Sequence, residues 1–216
     1  MEDTYIPAIR SGRFLGLYDP LLRWTMRERT FKRRLIEEAR LRSPQRILDL
    51  GCGTATLTLL LKRICPGVEV MGLDGDMQIL NYAKAKALKA GGGVQLHQGF
   101  AQALPYPDAS FDHVFSSLVF HHLTRDIKMQ TLQEVFRVLR PGGELHVADW
   151  GRPQNWLMRH AFRLVEWSDG KERTADHRAG RLPQFMKSAG FARARVTQQY
   201  MTLFGTLCHY HAQKPA

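Results

Sequence analysis

Cysteine is scarce in this chain. Cys52, Cys65 and Cys208 are the only three among 216 residues, and their spacing suggests neither a disulfide framework nor a thiolate zinc site. Long apolar runs are also missing, so no segment has the length of a membrane span. The chain opens on Met1-Glu2-Asp3, acidic where a secretory leader would carry a basic region, and no targeting segment is expected. Internal repeats and low-complexity tracts are absent. With 44% hydrophobic and 24% charged residues, these absences leave a globular domain in the cytoplasm as the expectation.

Acidic residues are in deficit, 20 against 31 Lys and Arg, for a net charge of +11. The imbalance is uneven: residues 1–46 carry +5, residues 47–150 carry −1 and residues 151–216 carry +7. A near-neutral centre with basic flanks suits a domain whose edges meet anionic lipid, nucleic acid or an acidic substrate. A surface that merely favours arginine reads the same way.

The stretch that organises the rest is Arg46 to Leu61, RILDLGCGTATLTLLL. Ile47-Leu48-Asp49-Leu50 has the character of a strand buried on both faces. It breaks at Gly51-Cys52-Gly53 and continues as an apolar helix. Strand, glycine turn and helix place backbone N–H groups and a positive helix end around a small concavity. Asp49 would point its carboxylate into the same space. A second apolar run, Val68 to Leu73, closes on Asp74, which lies 21 positions beyond Gly53. That is close to the spacing of roughly 20 at which an acid on the following strand meets a ribose diol. Asp74 reads equally well as a helix cap, a role Asp76 could fill instead.

Asp49-Leu50-Gly51-Cys52-Gly53-Thr54-Ala55 resembles the first motif of class I S-adenosylmethionine-dependent methyltransferases, and Gly72-Leu73-Asp74-Gly75-Asp76-Met77 resembles their second. The resemblance, in particular to quinone- and lipid-modifying members, continues through Leu104-Pro105-Tyr106-Pro107-Asp108, Arg137-Val138-Leu139-Arg140-Pro141-Gly142-Gly143 and Leu182-Pro183-Gln184-Phe185. It covers residues 46 to 200. It implies an α/β, doubly wound, Rossmann-like sheet of seven strands, mostly parallel with the last antiparallel, preceded by an N-terminal helical arm. S-adenosyl-L-methionine is the implied cofactor. The residues implied to meet it are Asp49, Gly51, Cys52, Gly53, Asp74, Gly75, Met77, Phe100, Ala101 and Ser117, with Tyr18 folding over from the arm. Phe100 departs from the family pattern, which sets an acid there for the adenine amino group. Gln98, Gln102 or a backbone carbonyl would have to replace it. Ala55 stands in for a third glycine.

Alternating patterns predict strands at 46–50, 68–73, 94–97, 112–117 and 143–149 and helices at 54–64, 76–90 and 126–139. The family fold adds strands near 192–198 and 203–212. Residues 1–45 read as an arm and a basic helix, from Pro20 to about Arg42, over the pocket, and residues 46–216 as the methyltransferase domain. Leu21, Trp24, Phe31, Leu35 and Ala39 share one face of that helix, with Glu28 and Lys32 at its edge. The helix either packs on its own domain or lies on a membrane surface. Residues 151–180 interrupt the alternation, and Trp156, Met158, Phe162 and Trp167 read as the apolar wall of a substrate lid.

His121 and His122 follow the fourth strand, at the mouth of the expected pocket, where one of them could act as a general base. Neighbours in a turn rarely point the same way, so one alone is expected to matter, and His122 is favoured. No metal site is expected. The acceptor is expected to be a small, apolar or lipid-like molecule, a quinone precursor or a phospholipid, with peripheral contact to anionic membrane. Nucleic acid is a weaker expectation, because Ser117-Leu118-Val119-Phe120 is not the run that amine-directed nucleic-acid enzymes show there. An RNA methyltransferase and a non-catalytic cofactor-binding regulator remain as alternatives.

Overall fold

The structure, a computed structural model, describes residues 28–216. The elements run α1 (Glu28–Glu38), β1 (Arg46–Leu50), α2 (Thr56–Ile64), β2 (Glu69–Asp74), α3 (Met77–Lys89), β3 (Gln95–Gln98) and β4 (Phe111–Ser117). After a 3-10 turn, Phe120–His122, follow α4 (Arg125–Val138), β5 (Leu139–Trp150), α5 (Trp156–Asp169), α6 (Lys171–Arg178), α7 (Leu182–Ser188), β6 (Ala192–Thr202) and β7 (Gly205–Gln213). One seven-stranded sheet has the order β3-β2-β1-β4-β5-β7-β6. β1 to β5 are mutually parallel, and β7 enters antiparallel between β5 and β6. The doubly wound expectation holds, and strand positions match to within a few residues at most ends.

Alternation along the strands divides the core in two. Leu48, Leu50, Val114, Leu145 and Val147 pack with α4 and α7 on one face. Ile47, Phe115, Ala148 and Trp150 pack with α1, α2 and α5 on the other. Both faces of a parallel sheet are thereby covered, as its apolar runs require. The described part of the basic helix packs on its own domain, with Phe31, Leu35 and Ile36 buried. Glu28 and Lys32, which intrude on that stripe, are buried as well and pair at 2.6 Å.

Two of the family-like motifs are locked to each other. Arg137 donates to the carbonyls of Leu104 and Tyr106 at 3.1 and 2.8 Å, and Glu134 accepts from the Leu104 N–H at 2.8 Å. Arg137 and Glu134 also pair at 2.8 Å. The loop into β4 is thus held by α4.

The lid expectation meets a different helix. In α5 it is Met158, Phe162 and Val165 that turn inward, while Trp156 and Trp167 are 73% and 87% exposed. A helical period cannot bury both sets, and Phe162 is taken by Trp150 and the core of that face. The tryptophans therefore form no inward wall.

Gly51 has φ +68°, and a Cβ there would stand 2.3 Å from Val119 Cγ2. Gly53 has φ +53° with open space around the same position. Left-handed backbone costs an L-residue about 1–2 kcal/mol and overpacking about 1–3 kcal/mol more. Gly51→Ala is therefore expected to lose about 2–5 kcal/mol in urea unfolding and Gly53→Ala only about 1–2 kcal/mol; equal losses would mean that Val119 moves freely.

Candidate functional site

The carboxyl ends of β1 to β5 come together along one edge, the place where open α/β sheets bind ligands. The turn after β1 is fastened to the end of β2. Gly51 and Cys52 N–H both donate to the Leu73 carbonyl, at 2.8 and 3.0 Å, and Gly53 N–H donates to Asp74 Oδ2 at 2.8 Å. Those turn N–H groups are thus spent within the fold, contrary to the expectation that they line the concavity. Asp74 also accepts from Asp76 N–H at 3.0 Å. The cap of α3 is Asp76, which accepts from Gln78 and Ile79 N–H, so Asp74 is not the cap.

Asp49 is corrected too. Its carboxylate is buried and turns to α2, accepting from the Thr58 hydroxyl at 2.6 Å, rather than into the concavity. Burial pushes its pKa up to about 6 against the pull of Thr58. No side chain caps α2 at Ala55, which is itself left-handed at φ 59°. Cys52 is buried, and burial pushes its thiol well up, so it is no nucleophile.

Ser117 closes β4, and its hydroxyl is buried without a hydrogen-bond partner among the described residues. Phe100 is 45% exposed and bridges to Ala103 just after β3, with Ala101 half-buried between them. Gln98 donates to the Gly75 carbonyl at 3.3 Å. Met77 opens α3 and is exposed. Tyr18 lies outside the described residues.

Beyond Ser117 the chain turns sharply through Leu118, at φ 59°, a strained conformation for a branched side chain. Val119 is thereby laid on Gly51, and the two histidines face β5. Their rings lie side by side, with centroids 3.9 Å apart, so they do not diverge as expected. The reason is Asp149, at the end of β5. Its Oδ1 is 2.7 Å from His121 Nδ1 and holds that ring beneath the turn. An ionised carboxylate only accepts, so His121 Nδ1 carries the proton and Nε2 the lone pair. Burial raises the pKa of Asp149, but the neighbouring His121 and His177 outweigh it and leave the group below the usual carboxylate range. Burial, then His121, pushes the pKa of His122 down to about 3.

His177, on α6, completes the cluster. Its Nδ1 donates to the Trp150 carbonyl at 2.9 Å, which leaves an acceptor at Nε2. That nitrogen and Asp149 Oδ2 are both buried without hydrogen-bond partners among the described residues. α6 is fixed on α4 by Arg125–Asp176 at 2.7 Å and by Lys128, which donates to the Arg173 carbonyl at 2.6 Å. Asp149 and His177 escaped the sequence reading. The acid ending the fifth strand was a findable signal, whereas nothing local marks His177.

The family described as a methyltransferase domain matches residues 47–143. A demethylmenaquinone methyltransferase of Deinococcus radiodurans is 37% identical over 137 residues, which cover 63% of this chain and 56% of that protein. One of Thermus thermophilus is 39% identical over 144 residues, covering 67% of this chain and 60% of that protein. Among solved structures, an S-adenosylmethionine-dependent methyltransferase of Aquifex aeolicus superposes with a TM-score of 0.69 at 19% identity, over 95% of this chain and 99% of that one. Residues 47–143 thus match a methyltransferase domain, and the fold is the one seen in that Aquifex aeolicus structure. The chain spans less than two thirds of the length of those two curated relatives.

His122 and His177 are both held neutral by burial, below the unfolded value near 6.5. As pH falls through 6.5 the unfolded chain takes up protons that the folded chain refuses, so stability falls with pH until the folded pKa is reached. Between pH 7.5 and 5.5 the parent is expected to lose about 1 kcal/mol more than His122→Gln in urea unfolding. Parallel losses would show that His122 titrates as if exposed.

Proposed function

We propose that this chain transfers a methyl group from S-adenosylmethionine to a ring carbon of a small, apolar, quinone-precursor-like acceptor. The observation that carries the reading is the His121–Asp149 pair beside the glycine turn. Two relatives named demethylmenaquinone methyltransferase, and one from Hahella chejuensis named ubiquinone/menaquinone biosynthesis C-methyltransferase, support the acceptor class.

Among the described residues, the open space over Gly53 and the Ser117 hydroxyl without a hydrogen-bond partner suit a bulky polar group at the strand ends. In this reading Asp74 takes the ribose hydroxyls. The Gly51–Gly53 turn and Ser117 line the methionine end, while Gly75, Met77, Phe100 and Ala101 flank the adenine. Phe100 offers a ring face where the family has an acid. Asp49 acts from behind, by its charge and by bracing α2.

When bound, the cofactor supplies an electrophilic methyl group. The chain supplies alignment, which can contribute about 7–11 kcal/mol, and a destination for the acceptor's proton. His121 holds its lone pair at Nε2 because Asp149 fixes the proton on Nδ1. It takes the acceptor's hydroxyl proton as the ring carbon bonds to the methyl group, and Asp149 stabilises the resulting imidazolium. The ring carbon then sheds its own hydrogen as a proton and the hydroxyl is regained, so one proton leaves in all. His122, with a pKa near 3, is too weak a base for that role and shapes the wall instead.

Labelled S-adenosylmethionine incubated with a demethylated isoprenoid hydroquinone tests the reading. The parent is expected to label the ring. His121→Ala is expected to lower kcat by about 10²–10⁴ with S-adenosylhomocysteine affinity unchanged. Asp74→Asn is expected to weaken that affinity roughly 10- to 100-fold. A parent that binds cofactor yet labels no quinol would contradict the acceptor assignment.

An acceptor of this kind is met at a membrane surface. No helix among the described residues is long and apolar enough to cross one. α5 presents Trp156, Leu157, Leu164 and Trp167 outward, with Arg159 and Arg163 among them. Aromatic and basic side chains on one exposed helix suit an anionic interface, where each cation contributes about 1 kcal/mol. Binding to anionic vesicles is expected to fall with salt and to weaken in Trp156→Ala/Trp167→Ala. Vesicle binding unchanged in that double variant would remove α5 from the surface contact.

A further inference from the structure

A second cluster lies away from the site just described, toward the amino ends of the parallel strands. His113 on β4 pairs in register with Glu144 on β5, four residues before Ser117 pairs with Ala148. Four residues of strand span about 13 Å. His146 follows on the same face of β5, and His211 faces it from β7. None of these groups belongs to the edge formed by the carboxyl ends of the strands.

Their ligand atoms converge. His113 Nδ1 is 3.2 Å from His146 Nε2, His146 Nε2 is 3.3 Å from Glu144 Oε2, and His113 Nδ1 is 3.9 Å from the same oxygen. His211 Nε2 lies 3.5 Å from Glu144 Oε2. Among the described residues, His113, Glu144 and His146 form the one group of three or more whose ligand atoms gather closely enough for a metal ion.

We propose that His113, Glu144 and His146 form a binding site for a divalent transition metal of the zinc type, with His211 beside it. Zinc bonds to nitrogen and oxygen measure about 2.0–2.2 Å, and a tetrahedron of that size has edges of about 3.3–3.5 Å. Two of the three edges, at 3.2 and 3.3 Å, come within about 0.1 Å of this range. The third needs about half an ångström of movement by Glu144, whose side chain is half-buried. Hydrogen bonding accounts for the arrangement less well. One ring nitrogen, His146 Nε2, faces both His113 Nδ1 and the carboxylate, and it has a single proton or a single lone pair to offer. A metal ion satisfies all three atoms together.

Two imidazoles and one carboxylate leave a fourth position open. The cluster lines a cavity of about 790 Å³, whose wall also carries Glu38, Asp112, Arg42, Arg140 and Arg195. Arg140 is paired with Asp112 at 2.8 Å, so part of the basic charge is already offset. The remaining arginines favour an anion as the fourth ligand. Bound there, the metal ties β4 to β5 across the middle of the sheet.

Cobalt(II), titrated into chelator-treated full chain, reports such a site directly through its visible absorption. One equivalent is expected to give the intense bands of a four- or five-coordinate ion, and zinc is expected to displace them. The chelator-treated chain is expected to melt about 5–10 °C higher once zinc stands near a hundredfold above its Kd. His146→Ala is expected to abolish both effects, while His160→Ala, an exposed histidine on α5, keeps them. Should His146→Ala fail to fold, His113→Gln and Glu144→Gln are read in the same titration and are expected to lose the bands. No absorption in excess cobalt, or bands unchanged in these variants, would overturn the site.

Discussion

The fastening of the β1 turn to the end of β2 is the constraint on which the upper edge of this molecule depends. Three consecutive N–H groups, from Gly51 to Gly53, donate to Leu73 and Asp74. The glycines accept left-handed backbone there, and Val119 fills the space a Cβ at Gly51 would need. That placement of Val119 fixes the chain leaving β4, and with it His121 and His122. The first motif therefore sets the position of the two histidines. The turn spends its N–H groups on β2, so the space above Gly53 is shaped chiefly by Asp74, Ser117 and the uncapped start of α2.

Charge is arranged differently on the two ends of the sheet. At the carboxyl end Asp149 is kept ionised against its burial by His121, which hydrogen-bonds it, while burial keeps His122 and His177 neutral. At the amino end Glu144 is kept ionised by His146 and His211, while burial holds His146 neutral. Each is a carboxylate answered by imidazoles, buried at Asp149 and half-buried at Glu144, and in each a buried polar atom lacks a hydrogen-bond partner among the described residues: Asp149 Oδ2 at one end, His211 Nδ1 at the other. Buried polar atoms without partners are uncommon in native proteins and concentrate where function or a ligand requires them.

Strand, glycine turn and helix at Arg46–Leu61 were legible because period and turn chemistry agree locally. The same holds for the positions of Asp74, at the end of β2, and of His121 and His122, just after β4. What escaped depends on register or on competition between residues. Asp149 meets His121 only because β5 lies beside β4, and His177 meets both only because α4 anchors α6. The histidines at 113, 146 and 211 are far apart in the chain and adjacent only across three strands. Asp49 was misread because Thr58, one turn into α2, competes for its carboxylate. The tryptophans of α5 were misread because Met158 and Phe162 outcompete them for the core. In both cases the sequence names the candidates, and packing chooses between them.

A crystal of the full chain soaked with S-adenosylhomocysteine tests the central claim most directly. The account predicts density above Gly53, with the ribose hydroxyls on Asp74 and the sulfur turned toward the ends of β4 and β5, on the side of His121. Density that leaves Asp74 untouched, or that lies away from the carboxyl ends of the strands, would contradict it.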